Sequence, residues 1–194
     1  IGGVVCLVET VFAFVFEGPD YKNPDIYTAQ IFSTAFGGGM SSRLFQEVRE
    51  KRGLCYSIFA SAGAYCDTGT MTLYAGTSGD KVTELANITM DEVKRAADDM
   101  SEVEVARARA QMKAGLLMGL ESPSSRAERL ARMIAIWDRI PSLDEVVAQI
   151  DGVTAEDVRN FAGSMAGGAP AAMALYGPVV DAPTIDELQA RLVA

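Results

Sequence analysis

Histidine is absent from the chain's 194 residues. That excludes Ser-His-Asp and Cys-His catalysis, and any zinc site that needs imidazole, within this chain. Cysteine is scarce. Cys6, Cys55 and Cys66 are too few and too unevenly spaced for a disulfide framework or an all-cysteine zinc site. They read as small buried hydrophobes in a reducing compartment, which points to the cytoplasm, with one exposed thiol or one opportunistic disulfide as the alternative. Basic residues are in deficit, 17 against 26 acidic ones, so the net charge is −9. Broad nucleic-acid binding needs a basic face to displace counterions from phosphates, and that balance argues against it. Also missing is the run of about 18–20 apolar residues that a membrane helix requires. Val4 to Phe16 comes nearest, but Glu9 interrupts it. With no basic start and no small-residue cleavage site it is not a signal peptide. Opening at Ile1 inside an apolar run, the chain is expected to be part of something longer.

What is present is ordinary for a soluble globular chain: 49% hydrophobic and 22% charged residues. The length allows one large domain or two small ones, with core enough to fold without staples. No linker, low-complexity tract or internal repeat divides residues 1–194, so a single domain is expected. Val4 to Phe16, short and rich in Val and Phe, predicts a buried strand. Gly18-Pro19-Asp20 ends it with turn chemistry, and Asn23-Pro24-Asp25 opens a helix carrying Ile26, Ala29, Gln30 and Ser33 at helical spacing. Gly37-Gly38-Gly39 stops that helix. A second, from Arg43 to about Lys51, has Leu44, Phe45 and Val48 as its apolar face. Leu54 to Gly63 alternates loosely and Thr70 to Gly76 more strictly, with Cys66-Asp67-Thr68-Gly69 between them, which predicts an antiparallel hairpin.

The remainder reads as helical. Capping boxes are expected at Ser101/Glu104, Ser125/Glu128, Ser142/Glu145, Thr154/Asp157 and Thr184/Glu187. Val82, Leu85, Ala86, Thr89, Val93, Ala96 and Met100 form one apolar stripe, and Val103, Ala106, Ala110, Ala114, Leu117 and Leu120 a second. Ala171 to Tyr176 is a late returning strand. The layout predicts an α+β fold, with helices packed on one face of a mainly antiparallel sheet.

Candidate chemistry is sparse. The glycine run lacks the Lys-Ser/Thr of a P-loop and the spacing of a dinucleotide fingerprint, so it reads as a tight turn rather than a phosphate cradle. Arg43, Arg49, Lys51 and Arg52 form a basic island interleaved with Glu47 and Glu50. As a whole it reads as a solvated face with weak ion pairs, Arg43 and Lys51 each neighbouring Glu47. Arg49 stands apart, near the turn into the strand that carries Tyr56. A guanidinium fork and a phenolic hydroxyl on one rim would both donate to carbonyl oxygens. A surface arginine and a core tyrosine is the plainer alternative. Acid pairs such as Asp91-Glu92 and Asp98-Asp99 read as caps and solubilising charge.

The run from Phe36 to Ile58, FGGGMSSRLFQEVREKRGLCYSI, closely resembles the second homologous domain of the pitrilysin-like zinc metallopeptidases. The branch is that of the bacterial and mitochondrial processing peptidases, within the insulinase superfamily. The resemblance continues through Asp67-Thr68-Gly69, Tyr74-Ala75-Gly76-Thr77 and Met118 to Arg132, MGLESPSSRAERLAR, and so covers essentially the whole chain.

The resemblance implies one half of a two-domain clamshell, from a chain of about twice this length. The family's first domain carries His-x-x-Glu-His and binds the zinc, so a chain without histidine is similar to the second. Zinc is then expected in the complete enzyme, on the missing half, and no metal in this chain. The second domain's Arg and Tyr, seven residues apart, fall on Arg49 and Tyr56. The resemblance assigns Arg49 to holding the substrate backbone and Tyr56 to donating to the scissile carbonyl as it becomes an oxyanion. Three glycines here are fewer than the long glycine-rich loop of the mitochondrial non-catalytic subunit, so that loop's substrate-sensing role does not transfer. The expected partners are a peptide substrate and a zinc-binding first domain or subunit. Isolated, the chain is expected to be inactive and to form a homodimer. The alternative is a non-catalytic scaffold, similar to the core proteins of the respiratory cytochrome bc complex.

Overall fold

The computed structural model describes residues 9–194. The expected strand start at Val4, the opening Ile1-Gly2-Gly3, and Cys6 lie outside the described residues. From Glu9 the alternation is strict. Phe12, Phe14 and Phe16 of β1 (Glu9–Gly18) are buried, while Val11, Ala13 and Val15 on the opposite face are half-buried. Aromatic and β-branched side chains suit such a pleated surface, one face of which packs on the core.

β1 pairs antiparallel with β3 (Gly69–Ser78) and with β4 (Ala171–Tyr176), and β2 (Cys55–Ala64) pairs antiparallel with β3. The four described strands run in the order β2-β3-β1-β4. The register builds the core in rows: Ala60 faces Leu73, Leu73 faces Phe14, and Phe14 faces Met173. The opposite face carries Phe59, Tyr74, Ala13 and Ala174 in one row and Ser61, Thr72, Val15 and Ala172 in the next, with no charge in either.

Helix α1 (Ile26–Gly37) lies against β2 and beneath the outer helices. It is buried on nearly every side, including Ile31, Phe32, Ala35 and Phe36, and so has no polar face. Ser33 and Thr34 satisfy their hydroxyls within the helix, both donating to the Gln30 carbonyl at 2.9 and 2.8 Å. The chain continues through α2 (Val82–Asp99), α3 (Glu102–Gly119), α4 (Pro123–Trp137), α5 (Leu143–Gly152), α6 (Ala155–Ala166) and α7 (Ile185–Val193). The fold is α+β, and α2 buries the whole of the stripe from Val82 to Met100.

Three expectations on the helices are corrected. In α3 the stripe through Val103 and Leu117 faces outward, these residues being 73% and 51% exposed. The inward face is Val105, Ala108, Met112 and Leu116. Both stripes have helical spacing, and packing against α1 selects the second. The cap of α4 is Ser122, whose hydroxyl accepts from Ser125 N–H, with Pro123 at the first helical position. Proline there lacks only an N–H that would be orphaned anyway, so it moves the start ahead of Ser125. Complete capping boxes form at Ser101/Glu104, Thr154/Asp157 and Thr184/Glu187. At Ser142 only the serine half forms, because the Glu145 carboxylate turns to Arg139. Among the described residues no helix is long and apolar enough to cross a membrane.

Candidate functional site

Between α1 and β2 the sequence predicts a regular helix. The structure has a π-helix over Phe45–Glu50, marked by the wide bond from Lys51 N–H to the Gln46 carbonyl at 3.0 Å. Such widened turns recur at functional positions because they shift side chains off the α-helical register. Val48 points into the core, and Arg49 follows it into solvent. The Arg49 guanidinium carbon lies 4.7 Å from the centroid of the Phe45 ring. That half-buried ring gives the cation a fixed platform. The turn closes at Gly53, whose φ of 59° is left-handed, and Leu54 N–H returns to the Val48 carbonyl at 3.1 Å.

Tyr56 lies on β2 just beyond this turn, at a bulge. Cys55 faces Thr77 and Ser57 faces Gly76, which leaves Tyr56 as the extra residue. Strict alternation would put Tyr56 in the buried row of Ile58 and Ala60. The bulge takes it out of that row, and the side chain is 67% exposed. Bulges re-aim side chains in this way beside active sites. The core-tyrosine alternative is therefore wrong for Tyr56, and the loose alternation of β2 has a cause. The Thr77 hydroxyl, bonded to the Leu54 carbonyl, pins the strand behind it.

The basic island is not one solvated face. Glu47 takes Lys51 at 2.6 Å and Arg52 at 3.0 Å. Hydrogen bonding, first from Lys51, holds its carboxyl below the usual range despite some burial. Arg43, expected beside Glu47, instead reaches across to Asp99 and to Glu104, the latter at 2.9 Å, and its side chain is only 9% exposed. Burial opposes its charge, yet its bonds to Glu104 and Asp99 carry its pKa above the ordinary value. Of the island's four cations Arg49 alone has no ion pair among the described residues. Nearby, Glu92 is 3% exposed, with one carboxylate oxygen on Arg95 at 2.7 Å and the other unpartnered. Burial pushes its carboxyl pKa up. Neither the Arg43 bridge nor the buried Glu92 is signalled by local spacing.

Arg43→Ala is expected to cost about 2 kcal/mol, because it strips a charge-assisted partner from the partly buried Glu104. Burial raises the Glu104 carboxyl, but its bonds to Arg43 and Ser101 outweigh that and hold the pKa below its unfolded value. That contribution is present above the ordinary carboxylate range and is lost as pH falls through the folded pKa. Urea unfolding should therefore show the gap between variant and parent closing in acid. A gap of the same size at every pH would contradict the assignment.

Cysteine chemistry does not contribute to this rim. Burial pushes the Cys55 thiol pKa to about 11, against a lowering influence from Arg49. Cys66, expected buried, is exposed in the β2–β3 turn. Among the described residues no three His, Cys, Asp or Glu side chains converge as metal ligands.

Comparison with known proteins adds to this geometry. The family model described as the Peptidase M16 inactive domain matches residues 6–112. An uncharacterized zinc protease of Rickettsia bellii is 37% identical over 153 residues, which are 78% of this chain and 37% of that protein. An uncharacterized zinc protease of Bacillus subtilis is 33% identical over 150 residues, 76% of this chain and 36% of that protein. The chain thus spans about a third of the length of the curated relatives it matches. A chain in the structure of Complex III2 from Candida albicans, with Inz-5 bound, superposes with a TM-score of 0.86 over 96% of this chain and 47% of its own length. At 20% identity that likeness concerns the fold alone.

Proposed function

The chain belongs to the M16 peptidase family, matching its inactive domain, and from that premise we propose that it is the substrate-binding half of a processing-type zinc metalloendopeptidase. The observation that carries the reading is the pairing, across one tight turn, of an arginine without an ion pair and a tyrosine that a bulge turns out of the core. Relatives named zinc proteases support a metal in the complete enzyme. With no histidine in the sequence and no converging set of metal ligands among the described residues, this reading assigns the metal to another domain or subunit, and the chemistry given to this chain is that of its own side chains.

In this reading Arg49 donates to a backbone carbonyl of the bound peptide and orients it. Tyr56 donates its hydroxyl to the scissile carbonyl oxygen, and that bond strengthens as negative charge develops there. The uncharged rows of the sheet beside β2 leave peptide side chains no fixed ionic partner. A non-catalytic scaffold is the second reading, and the shared fold with a chain of a respiratory complex is what favours it. Peptide hydrolysis by the full-length protein separates the two. A folded double variant, Arg49→Ala with Tyr56→Phe, should lose cleavage under the first reading. No cleavage by the parent full-length protein would leave only the second, and wild-type cleavage by the double variant would remove the roles given to Arg49 and Tyr56.

Separated from its other half, the chain should self-associate. Tyr56, Tyr176 and Phe59 are 67%, 69% and 43% exposed beside a sheet face whose central rows carry no charge. Such surface seeks burial, and a symmetric pairing of like faces is the simplest substitute for a partner of like fold. Sedimentation of the isolated chain at tens of micromolar is expected to give a dimer, and a monomer there would contradict this.

A further inference from the structure

At the opposite end of α1 from the Tyr56 rim, α1, α3, α4 and α5 line an open cavity of about 380 Å³. Its walls include Tyr21, Tyr27, Met133, Trp137 and Ile150, with Arg129 among them. Tyr21 and Trp137 meet edge to face, their ring centroids 6.5 Å apart. The volume is in the range of small-molecule sites. One feature separates it from a packing defect. The Arg129 Nη2 group is shielded from solvent and has no hydrogen-bond partner among the described residues. A guanidinium N–H withdrawn from water without an acceptor is costly. The neighbouring carboxylates are committed elsewhere, Glu128 to Arg132 at 2.8 Å and Glu145 to Arg139.

We propose that this cavity binds a carboxylate with an apolar body. Arg129 supplies the charge-assisted donor that the buried Nη2 lacks an acceptor for. Tyr27 supplies a second donor. Burial, the larger influence, raises its pKa against the opposing pull of Arg129, so its hydroxyl stays protonated at neutral pH. The walls set the rest of the ligand. Met133, Trp137 and Ile150 reward an alkyl or aryl group. Of the two guanidinium groups in the lining, Arg132 is taken by Glu128, so the half-buried Arg129 balances one negative charge, where a phosphate dianion would keep an uncompensated one. The site is separate from the peptide rim. Twelve residues of α1 lie between its start here and its seat on β2, about 18 Å of helix. A free apolar acid and the C terminus of a peptide ending in an apolar residue present the same chemistry.

Calorimetry on the full-length protein tests this with four probes: 3-phenylpropionate, its amide, and an acetylated pentapeptide ending in Phe as free acid and as amide. At least one acid should bind, and its amide should bind about tenfold more weakly or not at all. Tighter binding of the peptide acid identifies a chain terminus as the ligand, and tighter binding of phenylpropionate a free acid. Arg129→Met should weaken the acid about tenfold. Met133→Trp, which fills the cavity and leaves Arg129 in place, should abolish binding with the melting temperature held. Equal binding of acid and amide, undiminished binding in either folded variant, or no binding of any probe at millimolar concentration overturns the proposal.

Discussion

Tyr56→Phe in the full-length protein is expected to lower kcat for peptide hydrolysis about 10²–10³-fold and to leave KM within about threefold. The hydroxyl meets a full negative charge only when the carbonyl oxygen becomes an oxyanion, so its loss removes differential rather than uniform binding. Stability should hardly change, because the side chain is 67% exposed and its ring remains. Arg49→Ala should behave differently. A guanidinium on a backbone carbonyl acts in the ground state as well, so KM should rise about tenfold along with any loss in rate. The contrast in kcat and KM between two neighbouring variants, with melting temperatures as controls, is what a general loosening of the rim would not produce. Nearly full turnover by folded Tyr56→Phe protein would remove the assignment.

A large effect on folding is expected at Gly37. This last residue of α1 sits on β2 so closely that an added Cβ would lie 2.2 Å from the Ala60 backbone nitrogen and 2.7 Å from the Ala60 Cβ. Backbone cannot swing aside as a flexible side chain can, so either α1 lifts or β2 bends. Gly37→Val is therefore expected to cost about 3 kcal/mol or more. In a chain of this size that corresponds to a fall of about 6–12 °C in melting temperature. Gly163→Ala is the matched control. It lies inside α6, where an added Cβ meets only the Ala97 Cβ at 3.9 Å. Replacing an interior helical glycine there should be neutral or stabilising by up to about 1 kcal/mol. Chemical denaturation of both variants checks the pair. A Gly37→Val protein as stable as its parent would mean that α1 does not rest on β2 as described.

The sheet was legible because its evidence is local. The short Val- and Phe-rich run ending at Phe16 marks β1, period-two alternation of Met71, Leu73 and Ala75 assigns the core face of β3, and Ala171 to Tyr176 marks β4 to the residue. Three complete capping boxes were equally local. What sequence missed depends on contacts made across the fold. Both faces of α3 are apolar at helical spacing, and only packing on α1 decides that Val105 is buried and Val103 exposed. Arg43 looked like part of a surface island because its partners, Asp99 and Glu104, belong to a distant corner.

The rim was legible in part. Arg49 and Tyr56 were named from their spacing, and their roles from the family resemblance. The devices that turn them outward, a π-helix and a bulge, change the residue count by one and leave no periodic signal. The Arg129 cavity was invisible for the same reason as the Arg43 bridge. Its walls come from α1, α3, α4 and α5, which no local pattern relates.

The central claim is that Tyr56 donates to an oxyanion during peptide cleavage. The most direct measurement is the affinity of the full-length protein for a phosphinic peptide, whose tetrahedral anion imitates that oxygen, beside the KM of the matching substrate. The account predicts that Tyr56→Phe weakens the phosphinic peptide about 10²-fold while KM stays within about threefold. Unchanged affinity for the phosphinic peptide in the folded variant, or an equal rise in both constants, would contradict it.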